Sequence, residues 1–495
     1  MTKIALKNTV ISGVLWNSLE KISVKLGQFA VGIVLARLLV PSDFGLIGML
    51  TIFIAISQSF VESGMWSGLI QYQDRSDVDF STVFIFNFSV SILFYLILFF
   101  SAPLISQFFS TPELTPIARV VGLNIIINSI SIVQRSRLNI SYNFKQLAKV
   151  NSLSVIISGI VSIIFAMAGF GVWSLVIRQI IHSGVSAFML WFYSTWKLSL
   201  IFSRTSFNRL FGYGSKLLMA GIYAKIINNS FNMVIGKYYS VGELGFYTQA
   251  KTLASLSSDT VSSILKQVTF PILAALQHDP DQMIHVHKRL VRMTAFVVFP
   301  VMLTFATLSQ PFVLQLLGSK WIPMIPLLQW MCFSKLLHPL SAINLNLLNA
   351  NGRSDLFLKV ELLKAPIIIA SLFFTLPYGV EMIVIGQVVI SIIFFFVDTF
   401  IPGRIYGYTT LDQIKDILPT LLVSIASALA TYIIIAFTDP LFLKLIAGIA
   451  TSIVLYISLN LVVKSNELIE FQLLVKRLSQ QYHGFDSVFG GNEKK

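Results

Sequence analysis

Cysteine is almost absent from this chain, and charge is scarce. The single Cys332 excludes an intramolecular disulfide, and no Cys/His spacing offers a structural metal site. Its apolar surroundings suit a small buried hydrophobe. Charged residues occupy 12% of the 495 positions, where a soluble domain carries roughly 25%, so most of the surface must face lipid or other helices. Acids are scarcest: 22 Asp and Glu stand against 36 Lys and Arg, for a net charge of +14. No nucleophile–base pair, glycine-rich phosphate loop or metal cluster is readable, and the chain is not expected to be an enzyme or to hold a cofactor. His278, His285 and His287 lie beside Lys288 and Arg289, match no zinc spacing, and read as a solvated loop face.

What the chain has instead is apolar length. Hydrophobic residues make up 55%, the mean hydropathy is +0.78, and no charge occurs from Phe80 to Pro112 or from Val150 to Ile177. Runs of 18 or more apolar residues mark membrane spans. About fourteen helices are predicted, over 13–36, 46–70, 81–108, 116–138, 147–168, 171–193, 214–236, 245–271, 291–316, 323–350, 357–376, 379–401, 416–437 and 443–463, with a tight Gly169-Phe170-Gly171 turn between the fifth and sixth. Lys3 and Lys7 precede the first span without a small-residue cleavage site, as in a retained helix.

With a cytoplasmic N-terminus, twenty-four basic residues fall in inside segments, among them Arg75, Arg135, Arg137, Arg209, Lys364 and Lys415. Only Arg37, Lys237, Lys320 and Lys444 fall outside. That is the positive-inside bias, with both termini cytoplasmic. The positive charge is then an orientation signal, and nucleic acid drops out as a partner. Every outside loop is short, too short for an external catalytic domain.

At an offset of 200 the sequence partly matches itself. Arg37-Leu-Leu-Val-Pro41-Ser-Asp43-Phe44-Gly45 aligns with Lys237-Tyr-Tyr-Ser-Val-Gly-Glu243-Leu244-Gly245, and Lys25, Gln28 and Val34 align with Lys225, Asn228 and Val234. A shift of six spans preserves orientation, so the repeats are parallel, related by an axis along the membrane normal. The expected organisation is all-α and polytopic. An N-lobe covers 1–193, a cytoplasmic linker 194–213, a C-lobe 214–403, two extra helices 404–463, and a cytoplasmic tail 464–495.

The loop from Ala36 to Gly45 resembles that of the Wzx-type flippases for lipid-linked oligosaccharides, in the polysaccharide transporter branch of the MOP superfamily. Glu243-Leu244-Gly245-Phe246-Tyr247 resembles its second-lobe counterpart. The likeness is greatest to the colanic-acid-exporter-like branch. It implies two lobes around a cavity that opens alternately to cytoplasm and periplasm, in the bacterial cytoplasmic (inner) membrane. The implied cargo is an undecaprenyl-pyrophosphate-linked sugar repeat unit for surface polysaccharide. Implied partners are membrane lipids and polysaccharide assembly machinery, and the chain itself is expected to be a monomer.

A charge at bilayer depth costs ~2.5–3.5 kcal/mol on insertion scales, so it needs water, a partner or a function. The first span places Asn17, Lys21, Lys25 and Gln28 on one face, and the seventh answers with Lys225, Asn229 and Asn232. Lys25 and Lys225 fall near mid-depth, where they are expected to meet across the lobe interface and attract phosphate. Snorkelling to the headgroups accounts for Lys266 and Arg119, and serves Lys21 beside Glu20 as well. Secondary candidates are Arg178 and His182 on one face of the sixth span, Lys251 in the eighth, and Lys335 with His338 in the tenth. Glu62 is a counter-ion or proton acceptor. For each of these an interhelical pair competes with a substrate contact. Asp398 reads as interfacial. Pro300, Pro339 and Pro366 read as kinks or hinges, and Trp16, Trp66, Trp173 and Trp321 as an aromatic belt.

Two rival functions stay open at this stage. A drug/cation antiporter of the same superfamily calls for deep carboxylates, of which Glu62 is the one present. A membrane polysaccharide polymerase or ligase calls for a large external loop, which is missing. The coupling ion, proton or sodium, is not readable, nor is the identity of the sugar.

Overall fold

A computed structural model describes residues 23–473, other than 63, 73, 142, 195 and 197. Asn17, Lys21, Trp16 and the tail from 474 lie outside the described residues, as does the side chain of Lys266. Every described element is a helix. The first, α1, covers 23–38. It is followed by α2 Pro41–Glu62, α3 Met65–Gln71, α4 Asp77–Phe109, α5 Leu114–Ile140, α6 Phe144–Met167, α7 Val172–Tyr193, α8 Arg204–Tyr238 and α9 Val241–Ala275. Then come α10 Pro280–Thr307, α11 Ser309–Phe312, α12 Met324–Leu336, α13 His338–Ala350, α14 Ser354–Thr375, α15 Val380–Tyr406, α16 Thr410–Ala436 and α17 Leu441–Val463. Nine segments among the described residues are long and apolar enough to cross a membrane by themselves. The helices α8 and α9 are not among them, because Lys225, Asn228, Asn229 and Asn232 on one and Lys251 and Asp259 on the other dilute their apolar character.

Where they are described, the helices follow the expected spans, but α8 begins at Arg204, inside the expected linker 194–213, α10 begins at Pro280, ahead of the expected 291, and three spans are interrupted or cut short. The second is broken at Gly64, whose φ of 67° puts it in the left-handed region. The ninth does not run to 316: α10 stops at Thr307, and a short helix and a π-turn over Val313–Leu317 follow. The tenth divides at Leu337, so Pro339 falls in the first turn of α13, where its missing N–H costs nothing, instead of kinking a continuous helix. Pro300 and Pro366 do lie within helices. The Gly169-Phe170-Gly171 turn is as expected, with positive φ at both glycines.

The chain divides into two compact units, Met1–Ala250 with Leu316–Met324, and Lys251–Gln315 with Ile325–Lys495. In the first, α4 packs on α5, α6 on α7, and α2 on α8. Lipid is as apolar as leucine, so close approach between helices relies on small residues and hydroxyls. Ser154, Ser158 and Ser162 recur along α6, all buried, each donating to a carbonyl one turn back. Ser91 of α4 meets Ser129 of α5 at 2.9 Å. In the second unit α10 packs on α16, and α14 on α15. Large apolar side chains such as Phe192 and Phe437 stay exposed, as lipid contact requires.

The repeat is written into one helix crossing. A Cβ on Gly45 would overlap the Val241 carbonyl oxygen, and one on Gly245 would overlap the Pro41 carbonyl oxygen. Exchanging the two repeats turns the first contact into the second. Gly48 faces Thr248, its own equivalent, at 2.8 Å from a built Cβ to Oγ1, which places that pair on the local two-fold. The N-termini of α2 and α9 cross here at a distance only glycine permits.

Gly45→Ala and Gly245→Ala are therefore each expected to destabilise the protein by about 1–3 kcal/mol, as overpacking does. Gly242→Ala, with only a hydroxyl 4.0 Å away, should melt with the wild type in a detergent thermal-unfolding series. Wild-type melting of the first two variants would show the crossing to be looser than described.

Candidate functional site

The motif loops sit where chains turn into helices. Pro41 opens α2, and Asp43 accepts from the Val40 backbone N–H at 3.1 Å. In the second copy Glu243 accepts from the Ser240 N–H at 3.0 Å and from its hydroxyl at 2.8 Å, while Ser240 Oγ accepts from the Glu243 N–H. These are capping arrangements that satisfy orphan donors of the first turn. The acid and the glycine of the motif thus have structural work: one starts each helix, the other lets the two helices cross.

A plug seals this end of the first unit. Trp321 is fully buried, donates its indole N–H to the Ala36 carbonyl at 2.8 Å, and lies edge-on to Phe44 and Phe246. Lys320 donates to the Arg37 carbonyl at 2.8 Å and to that of Leu39. Its ammonium thereby neutralises the negative end of α1. Partial burial holds its pKa below the ordinary lysine value, against the pull of Asp43. Lys237 similarly donates to the Phe108 carbonyl. Trp321 is therefore not part of an aromatic belt, while Trp66 and Trp173 do keep about a third of their surface exposed.

Along the same unit lies a cluster of charges. Arg178 and His182 stand one turn apart on α7, and Arg178 Nη2 reaches the Gln28 backbone carbonyl of α1 at 3.4 Å. His182 lies in the field of Arg178 and Arg135. Arg135, on α5, donates to Ser186 Oγ at 3.1 Å. Glu62, the last residue of α2, lies in the field of Lys225 on α8 and of Arg135. Among the described residues, Lys225 and Arg135 thus lie about the Glu62 carboxylate, and Arg135 and Arg178 about His182. Lys25 stands one turn before Gln28 and is exposed, as is Lys225. Neither enters an ion pair within 4.0 Å among the described residues. Asn229 and Asn232 are buried in the packing, and Asn229 donates to the Lys225 carbonyl at 2.8 Å.

Sequence reasoning named every member of this cluster except Arg135, which it assigned to a cytoplasmic segment. The signal available was its position: Arg135 follows an apolar run and falls within the helix, five residues before its end. The second unit holds its own polar group. Lys335 lies 3.8 Å and His338 3.9 Å from Asp259, Ser262 Oγ is 3.4 Å from His338 Nδ1, and Lys251 lies in the field of Lys335 and Asp259. Asp259 was not anticipated.

Three further expectations are corrected. His287 is not on a solvated loop face: it is buried within α10, with Nε2 3.2 Å from Asn344 Oδ1. Asn344 in turn exchanges hydrogen bonds with Gln413 at 2.8 and 3.0 Å. Asp398 is not interfacial. It is buried on α15 against Lys364 of α14 at 3.0 Å, and Lys364 also bonds Glu361 at 2.7 Å. Lys364 is accordingly a helix residue paired with acids, not a loop charge. The physical reason is common to all three, since a buried polar group persists when a neighbouring helix supplies its partner.

Among the described residues no group of three His, Cys, Asp or Glu side chains is placed to hold a metal ion. Cys332 is buried, as expected.

The family described as "Polysaccharide biosynthesis protein" matches residues 34–326. The succinoglycan biosynthesis transport protein ExoT of Rhizobium meliloti is 25% identical over 68% of this chain and 68% of its own. The lipopolysaccharide biosynthesis protein WzxC of Escherichia coli is 23% identical over 73% and 74%, and the teichuronic acid biosynthesis protein TuaB of Bacillus subtilis 22% over 70% and 72%. Among solved structures, the lipid II flippase MurJ in an inward closed conformation superposes with a TM-score of 0.73 at 15% identity, covering 91% of this chain and all of that one. An inward-facing MATE family transporter of the MOP superfamily gives 0.62 at 16%, over 78% and 97%. The structural likeness establishes the fold, polytopic and all-helical, and the sequence match establishes the lineage: the chain belongs to the polysaccharide biosynthesis protein family.

Proposed function

We propose that this membrane protein flips an undecaprenyl-pyrophosphate-linked oligosaccharide across the bacterial cytoplasmic membrane, for assembly of a surface polysaccharide, with both its termini on the cytoplasmic side. The observation that carries the reading is the charge cluster of the first unit, in which, among the described residues, Arg135, Arg178 and Lys225 outnumber Glu62. Cations gathered at low dielectric create a potential that draws a pyrophosphate strongly. Lysine at 25 and 225 suits a cargo that must also be released, because it is a compact, mobile charge without the rigid fork of arginine. Glu62 keeps the empty site from self-repulsion.

The sugars then occupy the hydrated space beside the cluster and the lipid tail stays in the bilayer, so that only the polar head has to be shielded. Rocking of the two homologous halves exposes the head first to one side and then to the other. The names of the relatives, which concern transport and biosynthesis of succinoglycan, lipopolysaccharide and teichuronic acid, support a saccharide cargo over a drug.

Two outcomes are expected. Lys25→Glu and Lys225→Glu should each abolish surface polysaccharide at wild-type protein levels in cells lacking the native gene. Normal export by both would remove phosphate recognition from these lysines, and drug resistance conferred on an exporter-deficient strain would favour the antiporter reading. In purified protein, Glu62→Gln should bind inorganic pyrophosphate several-fold more tightly than the wild type and Lys225→Gln several-fold more weakly, both differences shrinking as salt rises. Identical titrations for all three would contradict a shared anion site.

A further inference from the structure

A second polar pocket lies among the first unit's α4, α5 and α7, and it shares no residue with the cluster above. It opens where α4 begins and where α5 and α7 end, has a volume of about 490 Å³, and is lined by Arg75, Asp77, Phe80, Gln134, Arg137 and Tyr193 among others. Ligand sites commonly fall in the range of about 300–1,000 Å³. Its most telling residue is Gln134. The side chain is fully buried, and neither its Nε2 nor its Oε1 has a hydrogen-bond partner among the described residues. Buried amides are ordinarily paired, so an unpaired one lining a pocket calls for an occupant.

The two arginines are held and only partly spent. Arg75 uses Nη1 for the carbonyls of Leu69 at 3.2 Å and Tyr72 at 2.9 Å, which leaves its Nε and Nη2 donors. Arg137 uses Nη1 for Asp77 Oδ1 at 3.1 Å and lies 5.1 Å from the Phe80 ring centre, which again leaves Nε and Nη2. Such pre-set forks match the oxygens of a phosphate. One carboxylate against two guanidinium groups leaves the pocket cationic. Gln134 adds what a bare phosphate does not need: an amide that both donates and accepts, the complement of a hydroxyl group. Phe80 and Tyr193 supply apolar walls for the C–H faces of a polyol.

We infer that this pocket binds a phosphorylated polyol, its phosphate on Arg75 and Arg137 and a hydroxyl on Gln134. Two sources carry that chemistry, the glycerophosphate head of an anionic membrane lipid and a soluble sugar phosphate.

The test uses the purified full chain in detergent, with dihexanoyl phosphatidylglycerol and glucose 1-phosphate as probes, and dihexanoyl phosphatidylcholine and inorganic phosphate as their comparators. At least one probe should bind ten-fold or more tightly than its comparator, and which one does so identifies the source. The double variant Arg75→Gln/Arg137→Gln should lose ten-fold or more. Gln134→Leu, which keeps bulk and charge, should lose three-fold or more for the probe and nothing for inorganic phosphate. Probe affinities equal in the wild type and both variants, or no binding of either probe to the wild type, would overturn the assignment. Should the double variant fail to fold, Gln134→Leu decides alone, and its failure to change probe binding overturns the assignment equally. None of these readouts depends on transport.

Discussion

Lipid offers nothing to a charge, and that constraint organises this molecule. Each ionised group within a span must be paired, hydrated or given up. The chain uses pairing in its second unit, where Lys364 sits between Asp398 and Glu361. The first unit also pairs Arg137 with Asp77 and Arg209 with Asp74 and Asp79, but it does otherwise about Glu62. There, among the described residues, Arg135, Arg178 and Lys225 exceed Glu62, and the side chains of Lys25 and Lys225 keep their exposure.

The duplicated architecture explains why the excess collects where it does. The capping acids Asp43 and Glu243 start α2 and α9 at equivalent points, and Gly45 and Gly245 let those two helices cross at backbone contact. The plug built from Lys320 and Trp321 lies against the carbonyl end of α1. With that end tied by indole and ammonium hydrogen bonds, the polar stripe of α1 and its counterpart on α8 belong to a single compact unit. Serine-rich packing of α6 and α4 then brings α7 and α5 near, and with them Arg178, His182 and Arg135.

Much of this was legible in the sequence, because much of it is decided by composition and periodicity. Span positions follow from apolar runs, the Gly169–Gly171 turn from residues that tolerate positive φ, and the repeat from a matched acid and glycine. Lys25, Lys225, Arg178, His182 and Glu62 were readable because an ionisable residue within an apolar run stands out on its own. Partnerships were not readable. Arg135, His287, Asp398 and Lys364 looked peripheral, since each lies near a helix end or beside other polar residues, and their burial depends on helices far away in sequence. Trp321 illustrates the same limit: an indole near a span end is equally suited to the headgroup region and to a carbonyl of a neighbouring helix, and only tertiary structure chooses. Gln134 gave no signal at all, being one uncharged polar residue among many on α5.

The central claim is that residues 25 and 225 border a hydrated, electropositive space. It is tested most directly by single cysteines at those positions in a Cys332→Ala background, which removes the one native thiol. The readout is the rate of modification by anionic and by cationic methanethiosulfonate reagents, each ratio normalised to that of a small thiol in solution. The account predicts modification at both positions and a normalised preference for the anionic reagent that falls as salt is raised. Thiols that resist both reagents, or that prefer the cationic one, would contradict it.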